Sequence, residues 1–268
     1  MDITEDIVFL YLPKTGSTFT YNALRTVKKN IQFDFLYRLK SGAKMLKLKE
    51  FSHYNVYFKH QPKVKEHHGT YHQIPMKFLD DNHEVVSIIR NPFENYLSQY
   101  HYGVFKSLPK QFEGLKEKLI YSLPEFPKIS FEEFIIDYTK TFLELEYDSH
   151  QIEFKNRIGV LSYQYIHFFA KEPLKFIKIL NHNKVEELNL SNYFYPVRFL
   201  YNENLNHMLY ELLKEKGYQD KHIEFIKGAE KKNVSKKSIE YESLLTDKLK
   251  NYILEKEALL FKLFPHYT

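Results

Sequence analysis

The stretch "DIVFLYLPKTGSTFTYNAL", residues 6–24, constrains this chain more than any other. "DIVFLYL" is a near-continuous apolar run of strand length, the pattern of a strand buried on both faces. Pro13 ends it, because proline lacks the N–H that a ladder needs. From Ser17 the period changes, and Phe19, Ala23, Leu24 and Val27 fall on one side of a helix. Strand, tight loop and helix in that order open an α/β fold. Gly16 sits in the tight part of the loop, where the missing Cβ lets a ligand approach the backbone. The N–H groups of Gly16, Ser17, Thr18 and Phe19 then stand at a helix N-terminus, which favours anions. Ser17 and Thr18 add hydroxyls, and Lys14 adds a positive charge. These residues alone leave two readings, an anion-binding loop and a capped helix start beside a lysine. A nucleotide-kinase P-loop, G-x-x-x-x-G-K-[ST], places its lysine after a second glycine. Here Lys14 precedes the single glycine of the loop.

A second unit follows in "HEVVSIIRNPFENYLSQYHYG", residues 83–103. "EVVSIIR" reads as a buried strand, Asn91 as an N-cap and Pro92 as the first helical residue. Phe93, Leu97 and Tyr100 form a core-facing stripe, and Asn91, Asn95 and Ser98 share a different face. Arg90 closes the strand, and Ser98 lies eight residues further on. A phosphate at that corner takes a bidentate arginine contact and a hydroxyl. The alternative is a surface arginine and a solvated helix serine. Together the two units suggest one ligand with two separated phosphate groups, one on "PKTGST" and one on Arg90 and Ser98.

Further strands are expected in "NVYFKH", at the start of "KVKEHHGTYHQIP" (63–75), in "LKFIKIL" (174–180) and in "YPVRFLY" (195–201). Pro75 opens a short helix across "MKFLDD". Residues 106–129, with Pro109, Pro124 and Pro127, predict a long surface loop or lid. Helical patterns cover 130–143, 158–170, "ENLNHMLYELLKEKGY" as far as Gly217, and a last helix from about Leu244 to Phe264. "GAEKKNVSKKS" (228–238) is a basic polar loop. The alternation predicts one α/β domain over 1–268, a central parallel sheet with helices on both faces. Its ligand lies at the carboxyl ends of the strands.

Composition narrows the function classes. The chain has no cysteine, which excludes disulfides and thiolate chemistry. A formal charge of +5 fits an anionic ligand, while lysines spread along the chain argue against nucleic acid. His68 and His72 have helical metal-ligand spacing, but Gly69 between them and the missing H-E-x-x-H glutamate argue for no metal. No run approaches transmembrane length, and the acidic start is unlike a secretory signal, so a soluble cytoplasmic protein is expected.

"VFLYLPKTGSTF" followed by "IIRNPFENYLSQY" resembles the PAPS-dependent sulfotransferases, whose P-loop-like fold carries a P-K-[TS]-[GA]-[ST]-T loop. The resemblance implies that Lys14, Thr15, Gly16, Ser17, Thr18 and Phe19 bind the 5′-phosphosulfate end of 3′-phosphoadenosine-5′-phosphosulfate (PAPS), and that Arg90 and Ser98 bind its 3′-phosphate. The branch most similar is that of the carbohydrate O-sulfotransferases, including the heparan 2-O-sulfotransferases. There a His-Gly segment precedes the arginine by a little over twenty residues, and here "HHGT" places His68 22 residues before Arg90. Phe19 stands where the small-phenol branch usually has tryptophan. The resemblance implies in-line sulfuryl transfer to a hydroxyl of a glycan or glycolipid, with PAP as product and no metal. Lys14 stabilises the leaving phosphate and His68 is the general base, with His67 and His72 as rivals. In the late basic loop Ser235 and Lys236, with Lys232 and Lys237, are candidates to cover the 3′-phosphate, beside the reading of a solvated loop. The alternatives are a nucleotide-dependent kinase, a sulfotransferase for a small alcohol or phenol, and a binding protein that transfers nothing.

Overall fold

An apolar run with both faces covered makes a central strand, and the first half of the chain supplies two of them. In chain order the elements begin β1 (Asp2–Thr4), β2 (Ile7–Leu10), α1 (Ser17–Lys40), β3 (Phe51–His53), β4 (Val56–Phe58), β5 (Gln61–Glu66), β6 (Glu84–Ile89) and α2 (Pro92–Tyr102). There follow α3 (Glu113–Ser122), α4 (Phe131–Glu133), α5 (Thr139–Ser149), α6 (Val160–Phe169), α7 (Pro173–Leu180) and β7 (Arg198–Tyr201). The chain ends with α8 (Leu205–Glu215), α9 (Asp220–Ile223), α10 (Phe225–Gly228), α11 (Asp247–Lys256) and α12 (Ala258–Leu263). The computed structural model describes residues 1–40, 51–53, 56–58, 61–66, 68–103, 105–106, 113–155, 157–229 and 243–268. They fall into two compact units, Met1–Arg90 with Pro196–Asn233, and Asn91–Tyr195 with Val234–Thr268.

The first unit holds a five-stranded sheet in the order β3-β1-β2-β6-β7. β2, β6 and β7 are mutually parallel, as the sequence predicts. The acidic N-terminus, not expected to be a strand, adds β1, antiparallel to both β2 and β3. β4 and β5 pair separately. One sheet face presents Ile7, Phe9, Val86, Ile88 and Leu200 to Phe19, Ala23, Leu24, Val27 and Ile31 of α1 and to Leu205, Leu209, Leu212 and Leu213 of α8. The residues between them, Val8, Leu10, Val85 and Ile89, are buried as well. With both faces covered, the strands read as continuous apolar runs and not as alternation. Leu10 pairs with Ser87, and Ser87 with Phe199, so the segments after all three parallel strands leave the sheet at one end.

Among its described residues the second unit is built from helices. α2 starts as predicted, with the Asn91 Oδ1 accepting the Phe93 N–H at 3.0 Å and Pro92 in the first turn. Of the expected stripe only Leu97 is buried, Phe93 and Tyr100 being half-buried, and the buried face is shifted to include Asn95, Tyr96 and Gln99. Asn95, expected on an outward face with Asn91 and Ser98, is inside, where its Oδ1 accepts from the Gln99 Nε2 at 3.1 Å. A buried amide is tolerated there because it has a partner.

Three expectations are corrected. "LKFIKIL" is the helix α7 and not a strand. A short apolar run does not fix its own period, and here Pro173 starts a helix that buries Phe176, Ile177 and Leu180. Residues 106–129 are not all loop, because α3 buries Leu115 and Leu119 one turn apart, with Pro124 and Pro127 beyond its end. The C-terminal helix is not continuous but breaks at Glu257 into α11 and α12.

The break has a cause. Glu257 is fully buried, and its carboxylate accepts from the Leu161 N–H at 3.1 Å, the Ser162 N–H at 2.7 Å, the Ser162 hydroxyl at 2.6 Å and the Tyr96 hydroxyl. It thus supplies the anion that the N-terminus of α6 favours. Burial pushes the Glu257 carboxyl above its usual range, and the donors on Ser162, Tyr96 and Leu161 pull it partly back. A Cβ on Gly159 would overlap this carboxylate. Gly159→Ala is therefore expected to destabilise the fold by about 1–3 kcal/mol in urea unfolding. Because the native carboxyl binds its proton more tightly than the unfolded one, stability is expected to fall as pH rises from the ordinary carboxylate range through the raised value. Glu257→Gln is expected to flatten that dependence.

Candidate functional site

The candidate site grows from the loop between β2 and α1. The Thr15 hydroxyl donates to the Leu12 carbonyl at 2.9 Å and closes a tight turn. Within the turn Lys14 has φ +61° and Gly16 φ +107°. For Lys14 this left-handed conformation costs about 1–2 kcal/mol, so surrounding contacts must hold it. At Gly16 a Cβ would lie 2.6 Å from the Asn202 Nδ2 and 2.9 Å from a Leu205 methyl, so glycine serves both the conformation and the close packing.

The Gly16 carbonyl accepts from the Phe19 N–H at 3.0 Å and the Thr20 N–H at 3.3 Å, which starts α1. Phe19, expected at the cofactor, therefore has its amide in the first turn, and its ring packs in the core. The Thr15 side chain, also expected there, is buried with its hydroxyl bonded inside the turn. The amides of Gly16, Ser17 and Thr18 remain at the head of α1, where helix geometry provides no intrahelical acceptor.

Donors from distant segments hold this loop by its carbonyls. The Ser87 hydroxyl donates to the Leu10 carbonyl at 2.8 Å, and the Arg90 Nη1 reaches the Lys14 carbonyl at 3.4 Å. The Asn202 Nδ2 donates to the Thr15 carbonyl at 2.8 Å. His68, half-buried, has its Nδ1 2.7 Å from the Tyr11 carbonyl. A carbonyl only accepts, so the Nδ1 carries the proton and the Nε2 keeps its lone pair in the neutral ring. This is the tautomer a base needs. The Tyr11 hydroxyl donates to Asp2 at 2.6 Å, and burial, then the Asp2 charge, pushes that phenol well up.

Lys14 and Arg90 bring two cations to one loop. The Lys14 ammonium is pushed below its usual value, first by burial and then by the Arg90 charge. Two like charges brought together beside a helix N-terminus suit an anionic group, while the space that the missing Gly16 Cβ leaves is taken by Asn202 and Leu205 and not by a ligand. Lys14 and the amides of Gly16, Ser17 and Thr18 are donors that a phosphosulfate fits.

Ser98 lies half-buried on α2 in the second unit. His72 is exposed on the 3₁₀ turn Tyr71–Gln73. His67, Lys232, Ser235, Lys236 and Lys237 lie outside the described residues. Asn202 had no motif to mark it, and its only sequence signal is its place just after an expected strand.

A sulfotransferase-domain family model matches residues 4–215, a span that includes the loop, His68, Arg90, Ser98 and Asn202. The chain belongs to the sulfotransferase domain family, whose reaction is the transfer of a sulfuryl group to a hydroxyl acceptor. No curated protein and no solved structure matches it. Among the described residues no helix is long and apolar enough to cross a membrane.

Gly16→Ala is expected to lower stability by about 1–3 kcal/mol in thermal or urea unfolding, from overpacking and a strained φ together. It is also expected to remove anion binding at the loop.

Proposed function

We propose that this chain transfers the sulfuryl group of PAPS to a hydroxyl of a carbohydrate or glycolipid, within a single sulfotransferase domain over 1–268. The observation that carries the reading is the meeting of Lys14 and Arg90 at the loop that heads α1, with the Nδ1 of His68 tied to the same loop. The likeness of "LPKTGST" and "HHGT" to the heparan 2-O-sulfotransferase branch supports the acceptor class, and the family match supports the reaction. Bound PAPS supplies an activated sulfuryl group whose sulfur–oxygen bond to the 5′-phosphate breaks as the acceptor oxygen bonds to sulfur.

The chain's own groups have distinct tasks. The Nε2 of His68 takes the acceptor hydroxyl proton, and the Tyr11 carbonyl stabilises the imidazolium through the Nδ1–H. Lys14 and the amides of Gly16, Ser17 and Thr18 meet the charge left on the 5′-phosphate. Arg90 and Ser98 are assigned to the 3′-phosphate on their eight-residue spacing, and Ser235 and Lys236 to its cover by resemblance alone. The reaction as proposed assigns no step to a metal.

Calorimetric titration with PAP, with ATP as control and no added metal, tests the donor. Tight PAP binding that is lost in Lys14→Ala and in Arg90→Ala is expected. No PAP binding, or a preference for ATP with Mg²⁺, overturns the reading. His68→Asn keeps a donor for the Tyr11 carbonyl and removes the base. It is expected to lower kcat by about 10²–10⁴-fold on a glycan acceptor while PAP affinity holds. Turnover on phenols or simple alcohols in preference to glycans would replace the acceptor class.

Lys14 also sets a pH dependence. A bound anion raises the Lys14 pKa, so binding favours the protonated lysine. PAP affinity is expected to fall as pH climbs through the lowered Lys14 value, earlier than for an ordinary lysine. Lys14→Arg, charged throughout that range, is expected to flatten the fall.

A further inference from the structure

We infer that Asn202 is a positioning residue for the 5′ end of the donor, because it fixes which way the Gly16 amide points. The inference rests on the reading above that the loop holds the donor's 5′-phosphate. The Thr15 carbonyl and the Gly16 N–H belong to one planar trans peptide, so they point in opposite directions. The Asn202 Nδ2 donates to that carbonyl at 2.8 Å, which aims the Gly16 N–H away from Asn202.

This peptide needs a restraint. Lys14 and Gly16 on either side of Thr15 both have positive φ, at +61° and +107°. Glycine adopts positive and negative φ about equally well, so the Thr15–Gly16 plane turns over at little cost unless something holds it. A turned plane presents a carbonyl where the anion expects an N–H. Asn202 holds it in two ways. It bonds the carbonyl, and with Leu205 it packs against the α-carbon of Gly16 so closely that a Cβ would lie 2.6 Å from its Nδ2 and 2.9 Å from the Leu205 methyl. Both residues come from the junction of β7 and α8, so the end of the third parallel strand fixes a loop at the end of the first. Thr15 does not share this role, because its hydroxyl is bonded to the Leu12 carbonyl inside the turn.

Two half-ligands test the assignment. Adenosine 5′-monophosphate engages the loop, and adenosine 3′-monophosphate does not. Asn202→Ala is expected to weaken PAP and the 5′-monophosphate by about tenfold, the worth of one oriented hydrogen bond to a charged group, and to leave the 3′-monophosphate within about twofold. Asn202→Asp, which turns an acceptor and a charge toward the Thr15 carbonyl, is expected to weaken the 5′ ligands further. Asn202→Ser retains a shorter donor and serves if the alanine variant does not fold. Equal losses on the 5′ and 3′ ligands, or no loss on either in a folded variant, overturn the inference. A wild-type protein that binds neither PAP nor the 5′-monophosphate instead overturns the donor reading beneath it.

Discussion

A peptide N–H is aimed by whatever holds the carbonyl on the other side of its plane, and the β2–α1 loop depends on that constraint. The carbonyls of Leu10, Tyr11, Leu12, Lys14 and Thr15 accept from Ser87, His68, Thr15, Arg90 and Asn202 respectively. With the Thr15 carbonyl held by Asn202, the Gly16 N–H points to the opposite side of the peptide plane. Lys14 in a left-handed conformation and Gly16 at φ +107° are the strain of that arrangement, and the side-chain donors maintain it. A short surface turn without these donors has several low-energy conformations. With them it has one.

The donors arrive because β2, β6 and β7 are parallel and in register. Each strand ends at the same edge of the sheet, and each delivers one element there: the loop itself, Arg90 and Asn202. This is the physical content of the rule that ligands bind at the carboxyl ends of parallel strands. It also explains the electrostatics. The strands that bury the core also bring Arg90 to Lys14, whose ammonium is lowered first by burial and then by the Arg90 charge.

The second unit applies the same helix physics to a different end. The N-terminus of α6 receives an internal carboxylate, Glu257, through the amides of Leu161 and Ser162. α1 is headed instead by a lysine and a glycine.

Much of this was legible in the sequence. The apolar run of β2, the switch of period at Ser17, the cap Asn91-Pro92 and the amphipathic pattern of α8 depend on neighbours a few residues apart, and all four appear as read. The short run "LKFIKIL" was misread because seven apolar-rich residues fit two periods. The break at Glu257 was hidden because its cause, the head of α6, lies 95 residues away. The site divides in the same way. Lys14, Gly16 and Arg90 could be named from motif and spacing alone. His68 meets the Tyr11 carbonyl across 57 residues, and Asn202 reaches Thr15 across 187, contacts that no local pattern announces. Phe19 and Thr15 sit in the motif, yet their side chains face the core and the turn. The sequence by itself determined the strand–loop–helix units and the cationic residues that mark the loop, because periodicity, capping and formal charge are local properties. Only the tertiary structure decided which side chains serve the loop, because a hydrogen bond depends on proximity in space, and the sheet register sets that proximity.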